Sequence, residues 1–258
     1  MELFNFAFFS HYDDRISKLA DLADKEDVWD FSDTAEKTFA ILKNYLQYTF
    51  MKLYDDAQVS YTSDNKHACF NTGLTTAYHE DIYAVFVEHK GRTEGSVHQP
   101  FYSWGFLKES DRKLLTHFPG SALPKRANYF TKPEELILNP LHNISADIEH
   151  IINDNVDRFP QFFQSMDISA KCSLLKGAID IAKKRAFANY KVAVPQYYNG
   201  KIQLLLPLHF TSQTGNPDLA LALEKHDDFY TARTCLTMKM AYNNARLITK
   251  PQSAWLKP

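Results

Sequence analysis

Two glutamines and a tyrosine surround a predicted turn at Asn199 and Gly200. The turn is favoured because both central positions of a type I′ hairpin need positive φ, which asparagine and glycine adopt readily. Pairing across this turn places Gln196 opposite Gln203, on the face that also carries Tyr198. Burying two facing amides without hydrogen-bond partners costs free energy and destabilises the fold. They therefore either bond each other or line a wet cleft that binds a ligand, and the spacing is compatible with both.

An arginine lies within a second predicted hairpin, formed by residues 219–226 and 229–236. The same pairing rule places Ala222 opposite Arg233 and sets Arg233 diagonal to Glu224. An arginine in the middle of a strand forms half of a cross-strand ion pair, or it acts as a clamp whose planar fork binds phosphate. Both alternatives stay open from the sequence.

Consecutive asparagines follow this hairpin, in a helix predicted over residues 238–249. Asn243 and Asn244 are poor helix formers because their side chains compete with the backbone for hydrogen bonds. At least one of them lies off the apolar stripe of the helix, where it and Arg246 could reach a base edge, a substrate or a neighbouring loop. The alternative is a polar helix end that faces solvent.

Basic residues occur next to aromatic residues in two further places. Arg126 lies within residues 124–130, where charge and aromatic character alternate in a pattern that holds nucleotides by ion pairing and stacking. Residues 183–185 form a basic run with Lys191 beyond it, at the end of a predicted helix. The helix dipole alone favours cations there, so this run indicates either phosphate binding or dipole compensation.

His150 is the one weak candidate for acid–base catalysis, because Asp147 and Glu149 stand close to it in sequence. A single histidine on a helix is more often structural. The sequence contains no zinc-type histidine pair, phosphate loop, dinucleotide fingerprint, nucleophile elbow or kinase signature. We therefore expect neither a metal nor a cofactor. If the chain is an enzyme, it would be a metal-independent hydrolase or transferase that acts on nucleotide or RNA phosphoesters.

The composition of the 258 residues is that of a globular protein, with 45% hydrophobic residues and a formal charge of −2. This near-neutral charge excludes a protein that coats nucleic acid over its whole surface, but it allows a local basic face. Three dispersed cysteines without a Cys-x-x-Cys pair favour a reducing, cytoplasmic location over a disulfide framework. No apolar run approaches the roughly 18 residues of a membrane helix, so no membrane association is expected.

Hydrophobic periodicity predicts the elements that must position these side chains. Helices are predicted at residues 13–23, 36–55, 146–153, 170–189 and 238–249. Strands are predicted at residues 1–10, 28–31, 59–62, 67–72, 82–89, 100–107, 192–198, 201–210, 219–226 and 229–236. This order predicts an α+β fold, with antiparallel, hairpin-rich sheets packed against two long helices and a C-terminal helix. We expect a single globular domain over residues 1–258, the alternative being two closely packed halves of about 1–165 and 166–258.

Several segments together resemble a known family. They are residues 70–74 (Phe-Asn-Thr-Gly-Leu) with 82–86, residues 194–208, and residues 230–247. They resemble a bacterial and phage domain family of unknown function whose members occur next to OST-HTH (LOTUS) modules. The resemblance covers most of the chain and implies no activity of its own, only an association with RNA through the neighbouring module. Asn71, in the first segment, joins the candidate ligand-binding residues.

These observations lead to the hypothesis of an RNA- or nucleotide-directed protein that binds a phosphate-bearing ligand in a cleft between the C-terminal sheet and the last helix. The phosphate would be held by Arg126, Arg233 and Arg246. A base or ribose would be read by Gln196, Gln203, Asn243 and Asn244, and Tyr198 or Tyr242 would stack on it. The alternative is a non-enzymatic domain that binds a protein partner or forms a homo-oligomer.

Overall fold

The computed structural model describes residues 1–25, 28–31, 37–90, 99–212 and 214–257. It contains two five-stranded sheets with helices packed against them. The predicted α+β class, with mostly antiparallel sheets, two long helices and a C-terminal helix, is confirmed. The chain divides into two compact units, Met1–Asn128 and Tyr129–Pro258, and each unit contains one sheet.

The described part of the first unit combines a sheet of order β1-β5-β4-β3-β2 with helices. Its helices are α1 (Leu3–Phe6), α2 (Tyr12–Leu22), α3 (Ala40–Asp55) and α4 (Arg112–His117). Its strands are β1 (Ala7–Phe8), β2 (Ser60–Tyr61), β3 (His67–Thr75), β4 (Asp81–Glu88) and β5 (Phe101–Lys108). β1 runs parallel to β5, and the other neighbours are antiparallel.

Phenylalanine side chains fill the core between α3 and this sheet. Phe50 on α3 lies 5.3 Å from Phe70 on β3, and Phe70 lies 5.8 Å from Phe86 on β4, measured between ring centroids. All three side chains are fully buried. Burial of a phenylalanine contributes about 1.5–3 kcal/mol, so this cluster is a main source of stability in the first unit.

The second unit has a sheet of order β6-β10-β9-β8-β7. Its strands are β6 (Asn143–Ala146), β7 (Val194–Tyr198), β8 (Lys201–Leu208), β9 (Leu219–Lys225) and β10 (Phe229–Leu236). Its helices are α5 (Ile148–Asn155), α6 (Gln161–Gln164), α7 (Ile168–Ala188) and α8 (Met238–Arg246), and a 3-10 turn at Tyr190–Val192 joins α7 to β7.

The two faces of the second sheet have different partners. α5 and α7 pack on one face, where Leu175 and Ile179 of α7 join Leu204, Leu221 and Tyr230 of the strands in one apolar core. α8 packs on the opposite face, mainly against β7. Because both faces of the sheet are buried along much of their length, β8 and β9 consist largely of leucine and alanine.

The first predicted hairpin of this sheet is confirmed in detail. Asn199 and Gly200 have φ values of 47° and 79°, as a type I′ turn requires, and Gln196 pairs with Gln203. The second hairpin is also present, with Thr231 opposite Glu224. The prediction for Arg233 is wrong, because a β-bulge shifts the register between Ala232 and Thr234. A bulge adds an unpaired residue to one strand, so Ala222 lies opposite Thr234.

Other predictions are corrected near the ends of the elements. Residues 1–10 form α1 and the short β1, and residues 28–31 do not form a strand. The predicted start of α3 at residue 36 lies outside the described residues, but the described residues 37–39 are not helical and α3 begins at Ala40. α8 ends at Arg246. β6, α4 and α6 were not predicted.

The second unit begins at Tyr129, and the single domain expected over residues 1–258, with its alternative of two halves, stays a prediction. β6 belongs to the second unit because it pairs in parallel with β10, far along the chain. α5 likewise packs against β10 and α7. Parallel pairing between distant segments leaves no local pattern in the sequence, so the first residues of the second unit could not be assigned from it.

Candidate functional site

The predicted amide cluster exists, and its members bond one another. Gln196 Nε2 donates a hydrogen bond to Gln203 Oε1 at 2.8 Å, and Asn244 Nδ2 on α8 donates to Gln196 Oε1 at 3.1 Å. Gln196 is only 1% exposed because α8 covers it. Of the two alternatives from the sequence, the structure shows mutually bonded amides. A buried amide with both ends bonded stabilises the packing of α8 on β7.

The row of hydrogen bonds continues from Gln203 along the face of the second sheet on which α8 packs. Gln203 donates to Glu224 on β9, and Lys201 Nζ lies 2.5 Å from Glu224 Oε1. The hydrogen bond from Lys201 lowers the pKa of Glu224, against the opposing effect of burial. Tyr198 lies two residues beyond Gln196 on β7 and is 49% exposed. Gln196 is therefore enclosed at the centre of the row, Asn244 and Gln203 are partly exposed on either side of it, and Lys201 is exposed at the far end.

The other predicted residues of the second unit lie around this network with different exposures. The Arg233 side chain is exposed, and its Nε lies 4.0 Å from Asp147 Oδ2, so its nearest anion is Asp147 and not Glu224. Arg246 and Tyr242 are buried. Asn243 Oδ1 is buried and finds no hydrogen-bond partner among the described residues. Of this group, only Arg233 has a charged end that a ligand in solution can reach directly.

His150 lies on the exposed side of α5. Its Nδ1 is 3.2 Å from Asp154 Oδ2, one helical turn away, and its backbone N–H is capped by Asp147 Oδ1. Pairs at this spacing on an exposed helix contribute a few tenths of a kcal/mol. The contacts of His150 are those of a surface helix residue.

Asn71 and Arg126 meet in the first unit, around the carboxylate of Asp81. Asn71 Nδ2 donates to Asp81 Oδ2 at 2.7 Å, and Arg126 Nη2 forms an ion pair with Asp81 Oδ1. Burial raises the pKa of Asp81, but the hydrogen bonds from Arg126 and Asn71 outweigh it and hold the pKa below its ordinary value. Arg126 is thus engaged with a carboxylate, and a phosphate would have to displace that partner.

A cavity of about 510 Å³ opens in the second unit, beside the start of β7 and the end of α8. Its apolar walls are Leu136, Ile137, Ala193, Val194, Pro195, Ala245 and Pro251. Its polar walls are Tyr190, Lys191, Thr249, Lys250, Gln252 and Ser253. None of the residues that line this cavity is acidic. The cavity therefore combines an apolar interior with two positive charges.

The segment that follows α8 forms one wall of the cavity because it is tied to the 3-10 turn. Ser253 Oγ donates to the Lys191 carbonyl oxygen at 2.6 Å, and Trp255 Nε1 donates to the Val192 carbonyl oxygen at 2.9 Å. Leu256 is buried next to them in sequence. These contacts join residues about sixty positions apart. They hold this wall of the cavity against the 3-10 turn.

The sequence reasoning missed this cavity, although two signals pointed to its residues. The basic run near residues 183–185 extended to Lys191, beside Tyr190, and the last helix was followed by Lys250. In the structure, Lys191 Nζ lies 5.9 Å from the centroid of the Tyr190 ring. Neither signal indicated that the turn after α7 and the residues after α8 contact each other.

Within the described residues, no group of three or more histidine, cysteine, aspartate or glutamate side chains could hold a metal ion. No described helix has both the length and the apolar character needed to cross a membrane.

Comparison with known proteins identifies the family. The family model for a domain of unknown function (DUF3825) matches residues 19–255, so the chain belongs to that family. The expected membership in a family of unknown function is confirmed, and its occurrence beside OST-HTH modules stays a prediction. No curated protein and no solved structure matches the chain.

Proposed function

We propose that this chain binds a phosphate-bearing nucleotide, free or within RNA, in the cavity beside β7 and the end of α8. The observation that supports this function is the cavity of about 510 Å³, with apolar walls and two lysines. It lies between the C-terminal sheet and the segment that continues the last helix, near where the sequence suggested a cleft. The residues that would contact the ligand differ from the predicted ones.

The size and walls of the cavity suit a nucleobase. Small-molecule sites have volumes of about 300–1,000 Å³, with mainly apolar walls and a few polar groups that orient the ligand. Ile137, Val194 and Pro195 would contact the faces of a base, and the exposed ring of Tyr190 would stack at the mouth. Thr249 and Gln252 supply hydrogen-bonding groups for its edge.

The charge of the cavity suits phosphate. Lys191 and Lys250 both line it, and no carboxylate does. The C-terminal end of α8 carries a partial negative charge of roughly half a unit, which two full positive charges outweigh. Lysine binds phosphate as a point charge with mobile donors, so the site would accept phosphate without strict geometry.

The residues that line the cavity favour a function in ligand binding over a function in catalysis. General acid–base catalysis most often uses an imidazole or a carboxylate within hydrogen-bond reach of the reacting atoms. The lining residues include no histidine, aspartate, glutamate or cysteine. We therefore propose a binding function, in which the chain holds a nucleotide or presents it to another component.

Titration of the purified protein with nucleoside monophosphates and the matching nucleosides tests this function. The monophosphates are expected to bind at least about 10-fold more tightly, because a hydrogen bond to a charged group contributes roughly 1.5–3 kcal/mol. Calorimetry measures both affinities, and added salt should weaken only the phosphate-dependent part. Inorganic phosphate alone serves as the control for charge without a base.

Equal affinity for nucleoside and monophosphate would contradict the role of the two lysines. Failure of every nucleotide to bind at millimolar concentration would contradict the proposed function.

A further inference from the structure

Basic and aromatic side chains continue from the mouth of the cavity along the end of α7. Phe187 is 44% exposed and Tyr190 is 62% exposed. Lys183 Nζ lies 5.6 Å from the centroid of the Phe187 ring, and Lys191 Nζ lies 5.9 Å from that of Tyr190. Lys184 is exposed next to them. We call Lys183, Lys184, Phe187, Tyr190 and Lys191 the basic aromatic surface.

Packing does not require the rings of this surface. α7 packs against the core through Leu175, Ile179, Ala182 and Ala186, which lie three to four positions apart on one side of the helix. Phe187 and Tyr190 are excluded from that core and exposed. The helix dipole accounts for cations in the last turn, but not for exposed aromatic rings beneath them. Rings with cations over their faces indicate a surface that binds a ligand by stacking and charge.

The charges around this surface are mostly positive. Lys183, Lys184 and Arg185 lie on the last turns of α7, and Lys191 and Lys250 line the cavity. Asp180 is the acidic residue on the last three turns of the helix. A polyanion is therefore the complementary partner, even though the whole chain has a formal charge of −2.

The spacing of the two rings suits neighbouring bases. Phe187 lies in the last turn of α7 and Tyr190 begins the 3-10 turn three residues later, across the extended backbone of Asn189, so their Cα atoms are at most about 10 Å apart. Consecutive bases in one strand of a duplex rise by about 3.4 Å and separate further when they unstack. One base on each ring is therefore sterically reasonable.

We propose that the partner of this site is a single-stranded nucleic acid. One nucleotide occupies the cavity, the next stacks on Phe187, and the phosphate between them lies against Lys184 and Lys191. A duplex cannot bind in this way, because its bases are stacked and paired inside the helix. The inference rests on the proposed function for the nucleotide in the cavity and adds the chain that continues from it.

The test compares uridine monophosphate with its dinucleotide and tetranucleotide, measured by calorimetry and by fluorescence anisotropy. Affinity is expected to rise at least about 10-fold from the monophosphate to the tetranucleotide, as one further stacked base would produce. The double substitution F187A/K184Q should remove that gain and leave monophosphate affinity unchanged. Both side chains are exposed, so the variant is expected to fold.

The matched control is F162A/K176Q, which removes an exposed phenylalanine and an exposed lysine elsewhere in the second unit. The control should keep the full length dependence. The slope of log affinity against log salt should fall in F187A/K184Q by about 0.7, the value for one phosphate contact with a single strand. Deoxy and ribo tetranucleotides distinguish DNA from RNA, and a hairpin whose stem keeps its bases paired at the assay temperature should bind more weakly.

The failures of the two proposals can be told apart. If the monophosphate binds but the tetranucleotide binds no more tightly, or if F187A/K184Q behaves like its control, the single-strand inference is overturned and the cavity site stands. If the monophosphate does not bind but the tetranucleotide binds through Phe187, the cavity site is overturned and the surface stands. If neither ligand binds, both proposals are overturned.

Discussion

Replacing Gln196 by methionine is expected to lower the free energy of unfolding by roughly 2–4 kcal/mol. The side chain is 1% exposed and bonds both Gln203 and Asn244. Methionine has nearly the same volume, so it leaves no large cavity, but it cannot replace either hydrogen bond. Two amide groups between α8 and the sheet would then lack a partner, and each unsatisfied group costs about 1–3 kcal/mol.

Urea denaturation followed by circular dichroism measures this loss, with Q161M as the control. Gln161 is exposed on α6 of the same unit, so its replacement should change stability by less than about 0.5 kcal/mol. A loss of similar size in both variants would show that the amide network does not stabilise α8.

The second large effect is expected from alanine at Gly73, in the Phe-Asn-Thr-Gly-Leu segment. Gly73 has a φ of +76°, a region that costs other residues about 1–2 kcal/mol, and an added Cβ would lie 2.6 Å from the Tyr45 hydroxyl. Tyr45 is buried on α3 and has little space to move. We expect G73A to lower the free energy of unfolding by roughly 2–4 kcal/mol, the sum of strain and displacement.

G177A is the matched control for this substitution and should have the opposite sign. Gly177 is exposed within α7, and apart from its chain neighbours and the backbone of the helix itself no atom lies within 4 Å of the position that its Cβ would take. Alanine there should stabilise the helix by about 0.5–1 kcal/mol. If G73A is as stable as the unmodified protein, the positive φ and the contact with Tyr45 do not matter for folding.

The parts of the fold that could be predicted are those determined by neighbouring residues. The hairpin around Asn199 and Gly200 was predicted with its register because two residues specify the turn and the turn specifies the pairing. α7 was predicted because its apolar residues recur at helical spacing over five turns. The Gln196–Gln203 contact followed directly from the register.

The parts that could not be predicted depend on contacts between distant residues. The bulge that displaces Arg233 leaves no local signal, and the parallel pairing of β6 with β10 joins segments more than eighty residues apart. The cavity exists because Ser253 and Trp255 bond the turn at Lys191 and Val192. The sequence indicated polar residues near the correct elements, but Gln196, Arg246 and Asn71 are buried.

The most direct test of the proposed site fills the cavity. Thr249 is exposed and lines it, so the indole of T249W would occupy the volume proposed for the base. T116W, at an exposed threonine on α4 of the other unit, is the control. In calorimetric titrations, nucleoside monophosphate affinity should fall about 100-fold or more in T249W, because ligand and indole compete for one space, and should not change in T116W. Equal affinity in both variants would contradict the assignment of this cavity as the nucleotide site.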